Sequence, residues 1–123
     1  MQHAKGFLKV VDDAKSRIRE TAPEEVRRKQ QSGERFHFID VREDNEWRLG
    51  HAAGAIHLGK GVIERDIEAT VPDPAAEIVL YCGGGYRSAL AADALQQMGY
   101  TNVASMEGGW KEWCGLEYPI ERE

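Results

Sequence analysis

The chain has 123 residues, room for one domain with a real core and too little for two. Its 41% hydrophobic and 30% charged residues describe an ordinary globular protein, and no apolar run approaches the roughly 18 residues that span a bilayer, so a membrane partner is not expected. The net charge of −5 divides into +3 over residues 1–35 and −8 over residues 36–123, a distribution that argues against a basic nucleic-acid surface.

The N-terminus carries Asp12 and Asp13 early and no continuous apolar stretch, unlike export or import signals, which predicts a cytoplasmic location. Phe7, Leu8, Val11, Ala14 and Ile18 recur at helical spacing and predict an amphipathic helix over 5–19. Residues 1–20 are expected to form this helix and pack it on a domain made of 21–123. Pro23 suits the first turn of a second helix that runs to about Gln31 and ends at Ser32-Gly33. Phe36 to Val41 reads as a strand, and the acids Glu43, Asp44 and Glu46 favour the start of a short helix that stops at Gly50.

Ala55 to Leu58 predicts a brief strand, Val62 to Ala69 a short helix, and Val71-Pro72-Asp73-Pro74 a connector. Ile78-Val79-Leu80-Tyr81 is a strand. The next helix is expected to bury Leu90, Ala94, Leu95 and Met98 and to end at Gly99. Asn102 to Ser105 reads as the last strand, Gly108-Gly109 as a turn, and Trp110 to Cys114 as a terminal helix. Strands alternating with helices imply an α/β fold with a parallel sheet and helices on its faces. Ligands of such sheets bind beyond the carboxyl ends of the strands. Asp40 and Arg42, His57 to Lys60, the loop after Tyr81, and Met106-Glu107 all lie at those ends.

The most informative segment is Cys82-Gly83-Gly84-Gly85-Tyr86-Arg87-Ser88, which joins a strand to a helix. Three glycines allow the backbone to turn several N–H groups into one concavity, and the helix points its positive end at the same place. A thiolate there is stabilised, as is an oxyanion it attacks. Arg87 adds a permanently charged fork, either beside the thiolate or as a clamp on an acid such as Glu107 or Glu43. Ser88 reads first as a helix cap and second as a hydroxyl donor to sulfur. The second cysteine, Cys114, forms no CxxC pair with Cys82, so neither a disulfide framework nor a zinc site is expected, and no metal or cofactor is called for.

Asp40-Val41-Arg42-Glu43, Glu46-Trp47, Gly50-His51 with Gly54-Ala55-Ile56-His57, Cys82 to Ser88, and Gly108-Gly109-Trp110 follow one another in an order and spacing that resembles a single-domain rhodanese, a thiosulfate sulfurtransferase-like protein. The resemblance covers about residues 20–120. It implies a five-stranded, mainly parallel central sheet with helices on both faces, and Cys82 as the carrier of sulfane sulfur in the form of a persulfide. Gly83, Gly84, Gly85, Tyr86 and Ser88 would then cradle the substrate, with Arg87 acting beside Cys82. Asp40 would fix backbone or Arg42 rather than serve as a base, and His51 would be structural. The partners implied are thiosulfate or another sulfane-sulfur donor and a thiol or cyanide acceptor. A sulfur-donor or acceptor protein docking on the first helix is an alternative to simple burial of that helix.

Ala52-Ala53 stands where the family often has Ile-Pro, and Gly59 where a proline is common. The loop also has glycine where relatives often place a cationic or polar side chain, leaving anion recognition to Arg87, with Arg42, Lys60 or Arg65 more distant. Two rival functions share the fold. One is a relay or interaction module without turnover, which usually lacks the cysteine. The other is a phosphatase or arsenate reductase, which resembles C-x5-R, whereas only four residues separate Cys82 from Arg87.

Overall fold

A computed structural model describes residues 3–123. Its elements in chain order are α1 (Lys5–Lys15), β1 (Arg19–Thr21), α2 (Pro23–Ser32), β2 (His37–Asp40), α3 (Asp44–Leu49), β3 (His51–Ala52), β4 (Ile56–His57), α4 (Ile63–Thr70), β5 (Ile78–Tyr81), α5 (Arg87–Gln97), β6 (Val103–Met106), α6 (Gly109–Gly115) and β7 (Ile120–Glu121). Five strands form one sheet in the order β1-β6-β5-β2-β4, every pair parallel. Each parallel step needs a crossover, and the intervening helices supply it.

Alternation along the strands sorts the core onto two faces. Ile39, Ile78 and Leu80 point to one face with Ile63, Ile67, Ala91, Ala92 and Leu95 from α4 and α5, and Cys82 belongs to this cluster. Phe38, Val79 and Tyr81 point to the other with Val26 of α2 and Trp113 of α6. Burial on both faces explains why β5 is apolar at every position, as central parallel strands are. Asp40 pairs with Tyr81 in the β2–β5 register, so Val41, Arg42 and Cys82 emerge at one edge of the sheet.

Local chemistry sets the helix ends. Pro23 opens α2 and Gly33, at φ +76°, closes it in a left-handed conformation. Glu43 and Glu46 form a reciprocal capping box on α3, the Glu46 carboxylate accepting the Glu43 N–H at 3.0 Å.

Several expectations shift. The first helix ends at Lys15, and Arg19–Thr21 is an edge strand on β6, three residues too few and too polar to show a period-2 signal. Ile18, outside the helix, still packs on the core. The helix after Cys82 buries Ser88, Ala89, Ala91, Ala92, Asp93 and Leu95, while Leu90, Ala94 and Met98 are only partly covered. Small residues let α5 sit close to β5 and β6, and Asp93 is held by the segment between α1 and β1: the Arg17 guanidinium donates to its two carboxylate oxygens at 3.0 and 2.7 Å. The last parallel strand runs to Met106, and the ribbon of β3 with β7 is antiparallel and lies outside the main sheet.

Candidate active site

Cys82 follows β5 and its side chain turns into the loop. Its sulfur accepts the Gly85 N–H at 3.2 Å and the Ser88 N–H at 3.3 Å, and the Ser88 hydroxyl lies 3.4 Å away. Ser88 occupies the first turn of α5, where backbone N–H groups have no partner within the helix. It does not cap the helix. Its hydroxyl faces that of Ser105 on β6 at 2.8 Å, so two buried hydroxyls lead to the sulfur. Cys82 is only 1% exposed, deeper than an open nucleophile, while the adjoining Gly84 is exposed. The amides therefore hold the sulfur atom itself, and the way to it passes the glycines.

The loop is held from behind by the start of α6. The Trp110 N–H donates to the Cys82 carbonyl at 2.7 Å and the Lys111 N–H to the Gly83 carbonyl at 3.1 Å. With both carbonyls engaged there, the loop presents its amides on the opposite side. Gly109, at φ +52°, makes this approach possible, because a Cβ on it would overlap the Cys82 carbonyl. Gly85, at φ +97°, provides the left-handed turn that brings its own N–H onto the sulfur.

Arg87 is paired with Glu46 of α3, not with Glu43 or Glu107. The contacts are 2.8 and 3.2 Å, a fork on a carboxylate. A Cβ on Gly83 would come within 3.1 Å of the guanidinium, so Arg87 lies against the Gly83 backbone and braces the loop to α3. The Arg87 hydrogen bond holds the Glu46 carboxyl below its ordinary range, and the same bond raises Arg87. From the sequence Glu46 reads as one of the acids opening a short helix and as half of the Glu46-Trp47 motif, and neither reading names Arg87 as its partner. Its signal as a partner would have been its place one helical turn into an acid-capped helix, which says nothing of what lies opposite.

Arg42 is directed elsewhere. Its guanidinium lies over the rings of Trp110 at 4.7 Å and Tyr81 at 5.8 Å, which belong to the core cluster on the sheet face opposite the one that includes Cys82, and it donates to both Asp40 oxygens and to the Gly50 carbonyl at 2.7 Å. Asp40 also accepts the Arg42 N–H at 2.8 Å. Burial opposes the Arg42 charge and the Asp40 carboxylate more than offsets it. The pair is a buried brace between β2 and the loop before β3. Arg65 is on Asp66, and the Lys60 N–H joins the Val41 carbonyl. His51 stacks on Trp47 at 3.4 Å with its Nδ1 at 3.0 Å from the Trp47 carbonyl. Trp47 and Trp110 are half-buried, and the fully buried indole is that of Trp113. Cys114 is exposed on α6, and partial desolvation pushes its thiol pKa up.

Tyr86 leaves the loop on the other side. Its ring lies against Gly84, 4.4 Å from His3 and 6.1 Å from Phe7, with the Lys15 ammonium 5.2 Å above it.

A family model for the rhodanese-like domain matches residues 22–116. A Pseudomonas aeruginosa thiosulfate sulfurtransferase, GlpE, is 31% identical over 100 residues, which cover 81% of this chain and 86% of that protein. YrkF of Bacillus subtilis, named as a sulfur carrier protein, is 31% identical over 100 residues and 81% of this chain, but the match spans only 53% of its own length. Among solved structures, a Rhodopseudomonas palustris protein described as of unknown function and as a tyrosine phosphatase candidate superposes with a TM-score of 0.84 at 32% identity, covering 98% of both chains.

Proposed function

We propose, for a chain that belongs to the rhodanese-like domain family, that it is a sulfurtransferase moving sulfane sulfur from thiosulfate or a related donor to a thiol or cyanide through a persulfide on Cys82. The observation that carries this reading is the coordination of the Cys82 sulfur by the Gly85 and Ser88 amides at 3.2 and 3.3 Å. Donors fixed in place before reaction stabilise a sulfur anion without reorganising.

In the first half-reaction the Cys82 thiolate attacks the outer sulfur of thiosulfate. The S–S bond of the donor breaks with its electron pair leaving on sulfite, and Cys82 keeps the transferred sulfur as a persulfide anion. In the second, cyanide or a thiolate attacks that outer sulfur, and the Cys82 sulfur retains the pair of the broken bond. Gly83, Gly84 and Gly85 offer little side-chain bulk over the thiol, so a donor enters past Gly84. Ser88, backed by Ser105, shares its hydroxyl with the sulfur. Arg87 supplies positive charge at the loop while Glu46 fixes its direction, and Asp40 with Arg42 stiffens the strand end behind it.

A phosphatase is the second reading, raised by the Rhodopseudomonas palustris neighbour. Two features count against it. Four residues between Cys82 and Arg87 make a tighter ring than C-x5-R, and the Arg87 fork is already taken by Glu46. A relay protein resembling the Bacillus subtilis carrier would use the same persulfide with a protein acceptor.

Intact mass measured before and after thiosulfate tests the proposal. One added sulfur, mapped to the peptide with Cys82 and lost in Cys82→Ser, is expected, together with thiocyanate formation that stops in the same variant. Thiocyanate turnover that survives in Cys82→Ser, or phosphate-ester hydrolysis that depends on Cys82, would overturn it.

A further inference from the structure

The helix α1 lies outside the residues matched by the family model, yet it reaches the loop that holds Cys82. Phe7, Val11 and Lys15 recur every four residues and so share one helical face. Val11 is fully buried, whereas Phe7 is only partly covered, as is His3 just before the helix. These residues meet Tyr86, whose ring is in contact with His3 at 4.4 Å, stands 6.1 Å from Phe7, and lies under the Lys15 ammonium at 5.2 Å. The His3 and Phe7 rings also meet each other, tilted, at 5.4 Å. On its loop side the Tyr86 ring rests on Gly84, the exposed residue beside the buried thiol. An aromatic ledge with one cation therefore flanks the entrance to Cys82.

The rings contact one another, and because each is only partly covered they also leave apolar surface open to a further body at the entrance. Aromatic surface attracts rings and apolar bodies. Lys15 contacts Glu20 at 3.7 Å, a distance that leaves its charge open to a second anion.

Resting on the persulfide reading, we infer that His3, Phe7 and Tyr86, with Lys15, form an acceptor subsite for an organic thiol that carries an aromatic or apolar body and a carboxylate. Its thiolate attacks the outer sulfur of the Cys82 persulfide. The new R–S–S⁻ leaves, and the electron pair of the broken bond remains on the Cys82 sulfur, so no outside oxidant or reductant is needed. The ring of the acceptor lies on the ledge and its carboxylate faces Lys15. Phe7 and His3 are specificity residues in this assignment, and they take no part in the bond changes.

The test compares two acceptors on thiosulfate-loaded protein, 4-mercaptophenylacetate and cyanide, each normalised to wild type. In Phe7→Ala the ratio of kcat/KM for the aromatic thiol to that for cyanide falls about fivefold, mostly through KM, the size expected for losing one aromatic contact. His3→Ala and Lys15→Met lower the same ratio by about two- to threefold, in the range of an exposed aromatic or cationic contact. An unchanged ratio in all three variants overturns the subsite. So does an equal loss with both acceptors, which would mean that α1 only props the loop. Failure of wild-type Cys82 to take up sulfur from thiosulfate is seen before any variant is made, and it would remove the sulfurtransferase reading itself along with the subsite.

Discussion

Gly109 lies directly against the carbonyl of Cys82, with no space between them for a Cβ. The N–H that follows, from Trp110, takes that carbonyl at 2.7 Å. The side of the loop that faces the sulfur is thus fixed by a glycine 27 positions further along the chain.

Gly109→Ala must either strain a left-handed φ or push α6 away from the loop. The left-handed conformation alone costs about 1–2 kcal/mol, and displacement of the Trp110 and Lys111 bonds adds to it. A loss of at least about 2 kcal/mol in urea denaturation is expected, with sulfur uptake at Cys82 slowed by more than about tenfold as the amides lose their aim. Uptake at the wild-type rate would show that α6 does not shape the loop.

Ser88 and Ser105 form a chain in which only the first hydroxyl reaches the sulfur. Ser88→Ala removes one donor of about 1 kcal/mol and should slow sulfur uptake roughly fivefold. Ser105→Ala leaves that donor in place but without its partner, and a smaller decrease, about twofold, is expected. The double variant should match Ser88→Ala, because Ser105 acts only through Ser88. Additive losses in this cycle, read from uptake rates, would assign Ser105 an independent role.

Glu46 and Arg87 connect α3 to the loop and make it sensitive to acid. Arg87 depresses the Glu46 pKa in the folded chain, from the ordinary value of 4.5. A depressed carboxyl stabilises the fold above its unfolded pKa and loses that contribution as pH falls through the folded one. Both side chains are about one-third exposed, so the pair contributes no more than about 1 kcal/mol at neutral pH. Glu46→Gln should therefore be less stable than wild type at pH 7 by about that amount, and the difference should shrink as pH drops below 4.5. Urea midpoints of the two proteins against pH give the comparison, and a constant gap would exclude the ion pair as its source.

Much of this molecule is legible in one dimension because its signals are local. The apolar run Ile78–Tyr81, Pro23 and Gly33 at the ends of α2, and the acids opening α3 each act through neighbours a few residues away. The thiol loop is legible for the same reason, since strand, glycines and helix start are contiguous from Ile78 to Ser88. Arg19–Thr21 was not, because an edge strand of three polar residues owes its pairing to β6, more than 80 positions away. Of the face expected for α5 only Leu95 is fully buried, because alanines are too small to mark a face by periodicity and close approach to the sheet selects them.

The order of residues along the chain determined that a cysteine would stand at the mouth of a parallel α/β sheet with backbone donors beside it. Only tertiary structure decided that Arg87 turns to Glu46, that Arg42 faces away from the thiol, that Ser105 stands behind Ser88, and that α1 rests on Tyr86. Hydrogen bonds between backbone neighbours follow from local geometry, whereas a side chain's partner is whatever distant segment the packing brings within about 3 Å of it.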